Sequence, residues 1–142
     1  MINENIKLFI EKSEYAIVAS ADKNGCPHLA AGRELRVPDP RHLVFEAWFC
    51  FTTLQNLAEN PLVAVVVADP ATGSGFQFVG RKERSEDAAI LDGYVPGLET
   101  SGMPQVLSRL YLLVESIMAF SAGAHTDQQL GEDGGNCRGK GV

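Results

Sequence analysis

Residues 51–69, FTTLQNLAENPLVAVVVAD, hold two adjacent hydroxyls, a short helical pattern, a helix stop and an unbroken apolar run. Leu54, Leu57 and Ala58 recur at helical spacing, and Thr52 or Thr53 stands where an N-terminal cap belongs. Asn60-Pro61 ends the helix, because a residue before proline is pushed out of helical geometry. Leu62–Ala68 is seven apolar residues rich in valine, which fits a buried strand. A helix start beside such a strand gathers N–H donors without acceptors and the positive end of the helix dipole. The segment therefore predicts either an ordinary threonine cap or a phosphate seat.

Working outward, Ile2, Ile6, Phe9 and Ile10 share one face of an N-terminal helix that should end near Ser13. Tyr15–Ala21 reads as a strand, Asp22-Lys23-Asn24-Gly25 as a hairpin turn, and Pro27–Val37 as the return strand. His42–Phe51 predicts a third strand. Asp69–Gly75 is a turn, and GFQFVGRKERS follows as a further strand with Phe76, Phe78 and Gly80 on one face. Asp87–Asp92 predicts a short helix and residues 93–104 a loop. Gln105–Phe120 fits a helix and a strand equally well by periodicity. Five or six strands at short spacing with few helices predict a small antiparallel β-barrel. A doubly wound nucleotide fold is excluded because Gly73-Ser74-Gly75 precedes a strand instead of joining a strand to a helix. Residues 1–124 are expected to form one domain and residues 125–142 a polar, Gly-rich, mobile tail.

A chain of 142 residues, 45% hydrophobic and 21% charged, is ordinary for one globular domain. With a net charge of −6, and Arg81-Lys82-Glu83-Arg84 as the one dense basic stretch, a nucleic-acid partner is not expected. No apolar run reaches the roughly 20 residues that span a bilayer, and MINENIKLFIEK lacks a signal-type apolar core. Cys26, Cys50 and Cys137 are odd in number and widely separated, and His28, His42 and His125 are scattered. Neither a metal site nor a disulfide framework follows, and a reducing cytoplasm is the expected location.

No hydrolase, zinc-protease, calcium-loop or P-loop motif is present. Gly32-Arg33-Glu34-Leu35-Arg36 reads either as an exposed strand face with cross-strand ion pairs or as a polar patch that borders a planar ligand. Regular alternation lets Glu34 share a face with at most one of the two arginines. Trp48 and Phe49 are core or interface aromatics, or the wall of an aromatic cofactor. Gln77 points away from Phe76 and Phe78, where its amide could bond a ring edge.

In order and spacing, the hairpin NGCPHL, the hydroxyl-rich start before QNLAENP and the strand GSGFQFVG resemble the pyridoxamine 5'-phosphate oxidase-like, FMN-binding split-barrel family across residues 1–121. The resemblance implies a mainly β fold, a six-stranded antiparallel split β-barrel with a few short helices. It also implies a homodimer with FMN in grooves at the subunit interface, and a strand over residues 110–121. Carried over by position, Ala31, Gly32, Arg33, Glu34 and Leu35 border the flavin and its ribityl chain. Thr52 and Thr53 stand where the family has a basic residue and a hydroxyl on the phosphate, with Gln55 and Asn56 in the following turn. Trp48 and Phe49 lie near the flavin, and Gln77 faces it. No Lys or Arg lies between Arg41 and Arg81, so the phosphate charge falls to Arg33 or Arg36.

The function implied is an FMN-binding flavoprotein that transfers electrons to a redox partner or reduces a small substrate, an FMN-dependent oxidoreductase in the second case. Two alternatives stand beside it. One is a non-enzymatic binding or sensing module with weak or lost FMN binding. The other is an enzyme with haem or a deazaflavin on the same fold.

Overall fold

Eight elements follow one another along the residues that this computed structural model describes, 1–91 and 105–130. They are α1 (Glu4–Lys12), β1 (Ala16–Ala21), β2 (Pro27–Asp39), β3 (His42–Trp48), α2 (Phe51–Glu59), β4 (Leu62–Asp69), β5 (Ser74–Leu91) and β6 (Gln105–Ser121). The fold is mainly β. Six strands, antiparallel at the pairings β1–β2, β2–β3, β3–β6, β6–β5, β5–β4 and β4–β1, close a barrel in that order.

Local signals account for most of these boundaries. Asn3 caps α1, its side chain accepting from the Ile6 amide at 2.9 Å, and Ile6 and Ile10 turn the apolar face inward. Gly25, at φ +82°, closes the β1–β2 turn, and Asp22 Oδ1 accepts from the amides of Asn24 and Cys26. Asn60 terminates α2 before Pro61. In β4 the valines 63, 65 and 67 are buried, joining Val18, Phe45, Phe78, Leu110 and Leu112 in the core. Full burial of each such side chain contributes about 1.5–3 kcal/mol.

Three local expectations are corrected. Residues 87–91 are strand, not helix, because Asp87–Leu91 extends β5 against Gln105–Ser108 of β6. A ladder with a partner outweighs a helical pattern too short to be stable alone. β3 stops at Trp48, and Phe51 is the first residue of α2. Neither Thr52 nor Thr53 caps that helix: the N-cap is Cys50. The ambiguous stretch is strand, its alternation carrying Leu110, Leu112 and Val114 inward. The loop expected over residues 93–104 and residues 131–142 of the expected tail lie outside the described residues. Before them, Leu130 donates its amide to the Ile117 carbonyl at 2.8 Å, which lays residues 128–130 along β6.

The outward face of the apolar β4 run is only partly covered in this chain, with Ala64 and Val66 half-buried. Leu62 is 46% exposed, and Ile17 and Leu29, outward on β1 and β2, are 38% and 67% exposed. At the β2–β3 turn, His42 sits between two carboxylates, Asp39 at 2.8 Å from Nδ1 and Glu83 at 3.0 Å from Nε2. The hydrogen bond to Asp39, and after it that to Glu83, raises the imidazole pKa against the opposing effect of burial. The same His42 contact lowers the Asp39 carboxyl.

Candidate functional site

β2 changes partner in mid-strand. It pairs with β1 as far as Gly32, opposite Ala16, and with β3 from Arg33, opposite Ala47. At this handover the alternation breaks. Gly32 is buried, Arg33 and Glu34 are both exposed, and Leu35 is buried again. The cause is Glu34, whose φ of +57° puts a non-glycine residue in the left-handed region. That conformation costs an L residue about 1–2 kcal/mol. β3 breaks step opposite it: Phe45 and Trp48 are fully buried, Glu46 and Ala47 lie outward, and the β3–β6 register shifts between Phe45 and Trp48.

The two irregularities open a cavity of about 700 Å³. Its floor is small side chains and backbone, Ala31, Gly32 and Ala47. Tyr15, Phe49 and Leu107 form the apolar walls, and Arg33 and Glu34 supply the charges. Tyr15 and Phe49 are about half exposed, at 50% and 53%, so aromatic surface is available to a ligand. Trp48 supports the floor from the core side. Its ring lies against Gly32 so closely that a Cβ there would overlap it. Its Nε1 donates to the Cys50 carbonyl at 2.9 Å, and its ring meets Phe45 edge-on at 4.9 Å. Beside the cavity, Arg109 Nε donates to Glu46 Oε2 at 2.6 Å.

The Trp48–Cys50 bond explains where α2 begins. It fixes the Cys50 carbonyl, and Cys50 keeps an extended conformation with no side-chain cap bond. Thr52 and Thr53 fall inside the first turn, Thr52 exposed and Thr53 fully buried. Thr53 Oγ1 has no hydrogen-bond partner. Asn56, also buried, donates to Ser20 Oγ at 3.2 Å, and Gln55 is exposed. Cys50 Sγ lies 3.5 Å from His28 Nε2.

Of the residues singled out in the sequence, Gly32, Arg33, Glu34 and Phe49 are brought together at the cavity, with Ala31 beside them. Leu35 and Trp48 point into the core behind it. Thr52, Thr53, Gln55 and Asn56 lie on α2, which begins two residues beyond Phe49, and none of them lines the cavity. Gln77 lies on β5, opposite Val66 and Met118, away from the cavity lining. Sequence reasoning passed over Tyr15, Ala47 and Leu107. Tyr15 carried a signal, an aromatic just ahead of β1, whereas Leu107 reaches the cavity through the long β5–β6 pairing.

The chemistry offered is a slot of small residues flanked by aromatics with one cation and one carboxylate. Such a slot suits a planar aromatic ligand that carries an anionic group. Among the described residues no three His, Cys, Asp or Glu side chains are grouped to hold a metal ion, and no helix is long and apolar enough to cross a membrane.

The family model described as pyridoxamine 5'-phosphate oxidase matches residues 2–107. No curated protein sequence matches the chain. Among solved structures, HupZ of Group A Streptococcus is similar over 89% of this chain and 99% of its own, at 22% identity and a TM-score of 0.64. An FMN-binding protein from Syntrophomonas wolfei is similar over 84% of this chain and 89% of its own, at 13% identity and a TM-score of 0.57. The heme storage protein HutZ from Vibrio cholerae is similar over 84% and 94%, at 12% identity and a TM-score of 0.54. At such identities the three share the fold.

Proposed function

The chain belongs to the pyridoxamine 5'-phosphate oxidase family, and from that premise we propose that it is a cytoplasmic, homodimeric FMN-binding flavoprotein that transfers electrons or reduces a small substrate. The cavity at the bend of β2 carries this reading. Ala31, Gly32 and Ala47 leave backbone accessible to a planar ring, with Phe49 and Tyr15 as aromatic walls. Arg33 is the cation in that wall for a phosphate, and the first turn of α2 adds N–H groups that have no intrahelical acceptor. When bound, FMN supplies the redox chemistry. The chain's own residues bind it, orient it and shield it from water. A second subunit over the partly exposed apolar face of β1, β2 and β4, where Ile17, Leu29 and Leu62 stand out, completes the groove. Residues 1–124 form the cofactor domain and 125–142 a polar tail.

Thr53 favours a second reading, a binding or sensing module with weak FMN affinity. The family's phosphate grip falls on Thr52 and Thr53, neither is a cation, and Thr53 is sealed from solvent. A haem or deazaflavin enzyme is a third reading, on likeness of fold alone.

The test is direct. Purified protein should be yellow, release FMN on heating, and quench FMN fluorescence when the stripped protein is titrated. Rapid reduction of the bound flavin by a reduced nicotinamide separates the enzyme from the module. Colourless protein that quenches nothing rules FMN out.

A further inference from the structure

Two residues of the cavity lining, Gly32 and Glu34, divide the tasks usually given to one glycine. Gly32 has no left-handed backbone and is glycine because Trp48 leaves no space for a Cβ. Glu34 does have the left-handed backbone, at φ +57°, yet carries a long charged side chain. Glycine, asparagine and aspartate tolerate that region far better. Strain of this kind persists where the surroundings hold it in place, and it collects at ligand-binding walls. Its geometric effect here is specific. With Glu34 in an extended conformation its side chain would leave the face that Arg33 occupies. With the kink, Arg33 and Glu34, consecutive in sequence, both line the cavity.

We propose that Glu34 is a specificity-determining residue of this cavity: its carboxylate accepts hydrogen bonds from the uncharged, donor-bearing part of the ligand and disfavours negative charge there, while Arg33 takes the anionic end. The inference rests on the FMN reading above and deepens it. A flavin's ring and ribityl chain carry N–H and O–H donors, and its phosphate carries the charge. A carboxylate beside the ring also opposes the extra negative charge that the ring takes up on reduction. Glu34 thus holds the midpoint potential of the bound cofactor down.

The test uses Glu34→Gln, which keeps the shape and removes the charge, and Glu34→Gly, which removes the side chain and relieves the backbone. Glu34→Gln, which keeps an acceptor oxygen but loses the charge, should favour the reduced over the oxidised form about tenfold more than the wild type does, a rise in midpoint potential of about 30 mV. Glu34→Gly should weaken oxidised FMN by about tenfold while the ligand-free protein melts no lower than the wild type, because relief of φ strain offsets the added chain entropy. If the wild type binds FMN and the Glu34→Gln potential is unchanged, or Glu34→Gly binds as tightly, Glu34 is only a strained strand residue and this inference alone fails. A wild type that binds no FMN overturns both the inference and the reading beneath it.

Discussion

Gly32 of β2 and Trp48 of β3 touch face to ring, with no room for a methyl group between them. A Cβ at position 32 would overlap the indole and come within 3.0 Å of Phe45. Trp48 is fully buried and tied to the Cys50 carbonyl, so it cannot swing aside cheaply. Gly32→Ala should therefore cost about 1–3 kcal/mol of stability, as overpacking of a filled core does. Urea denaturation measures it. A neutral substitution would mean that the indole has space to retreat.

Thr53 makes a prediction of the opposite sign. Its hydroxyl is fully buried without a partner, and valine has nearly its shape without the polar atom. Thr53→Val should raise stability by about 1 kcal/mol, by relieving an unmet desolvation cost. A loss of stability would reveal a partner for Oγ1, such as an ordered water.

Arg33 is the cation in the cavity wall. If it holds the phosphate, Arg33→Ala should weaken FMN at least tenfold, about 1.4 kcal/mol, and leave riboflavin affinity unchanged. Titration with both ligands separates charge recognition from ring packing. An equal loss for both would place Arg33 against the ring.

Where signals were local the sequence was legible. Asn24-Gly25 marks its turn, Asn60-Pro61 its helix stop, and the valines of β4 their strand. Asp87–Leu91 was misread because what makes it strand is Gln105–Ser108, across a connection no local pattern encodes. The cap of α2 was misplaced because a tryptophan two residues upstream fixes the Cys50 carbonyl. At the site, Arg33 and Glu34 were recognised as polar strand residues. Their presence on one wall depends on a single left-handed residue, which a regular two-residue period cannot contain.

His42 predicts a pH dependence. Its pKa is raised above the ordinary 6.5, so the folded state holds the proton more tightly than the unfolded chain. The stabilisation is fully present below pH 6.5 and is lost as pH rises through the raised, folded-state value. Asp39 is lowered from 3.8, so its share is present above that pH and is lost as pH falls through the depressed value. The clasp is strongest between those limits. His42→Gln should flatten the decline in stability on the alkaline side of pH 6.5, as read from thermal melts at several pH values. A decline of wild-type size in the variant would assign the dependence to another group.

The apolar run of β4 is buried on one face, and that asymmetry predicts assembly. Val63, Val65 and Val67 fill the core, while Leu62, with Ile17 and Leu29 on the neighbouring strands, stays substantially exposed. An apolar strip of this kind on a barrel wall is a liability in a monomer and an asset in a dimer. Leu29 is 67% exposed, so a charge there leaves the fold of a single subunit intact. Leu29→Glu should therefore convert a dimer to monomers in light scattering without lowering the β-sheet signal in circular dichroism. If a second subunit completes the groove as proposed, it should also weaken FMN binding. A dimer that survives Leu29→Glu, and likewise Ile17→Glu, would have its interface on another face, and the cavity would then bind its ligand within one chain.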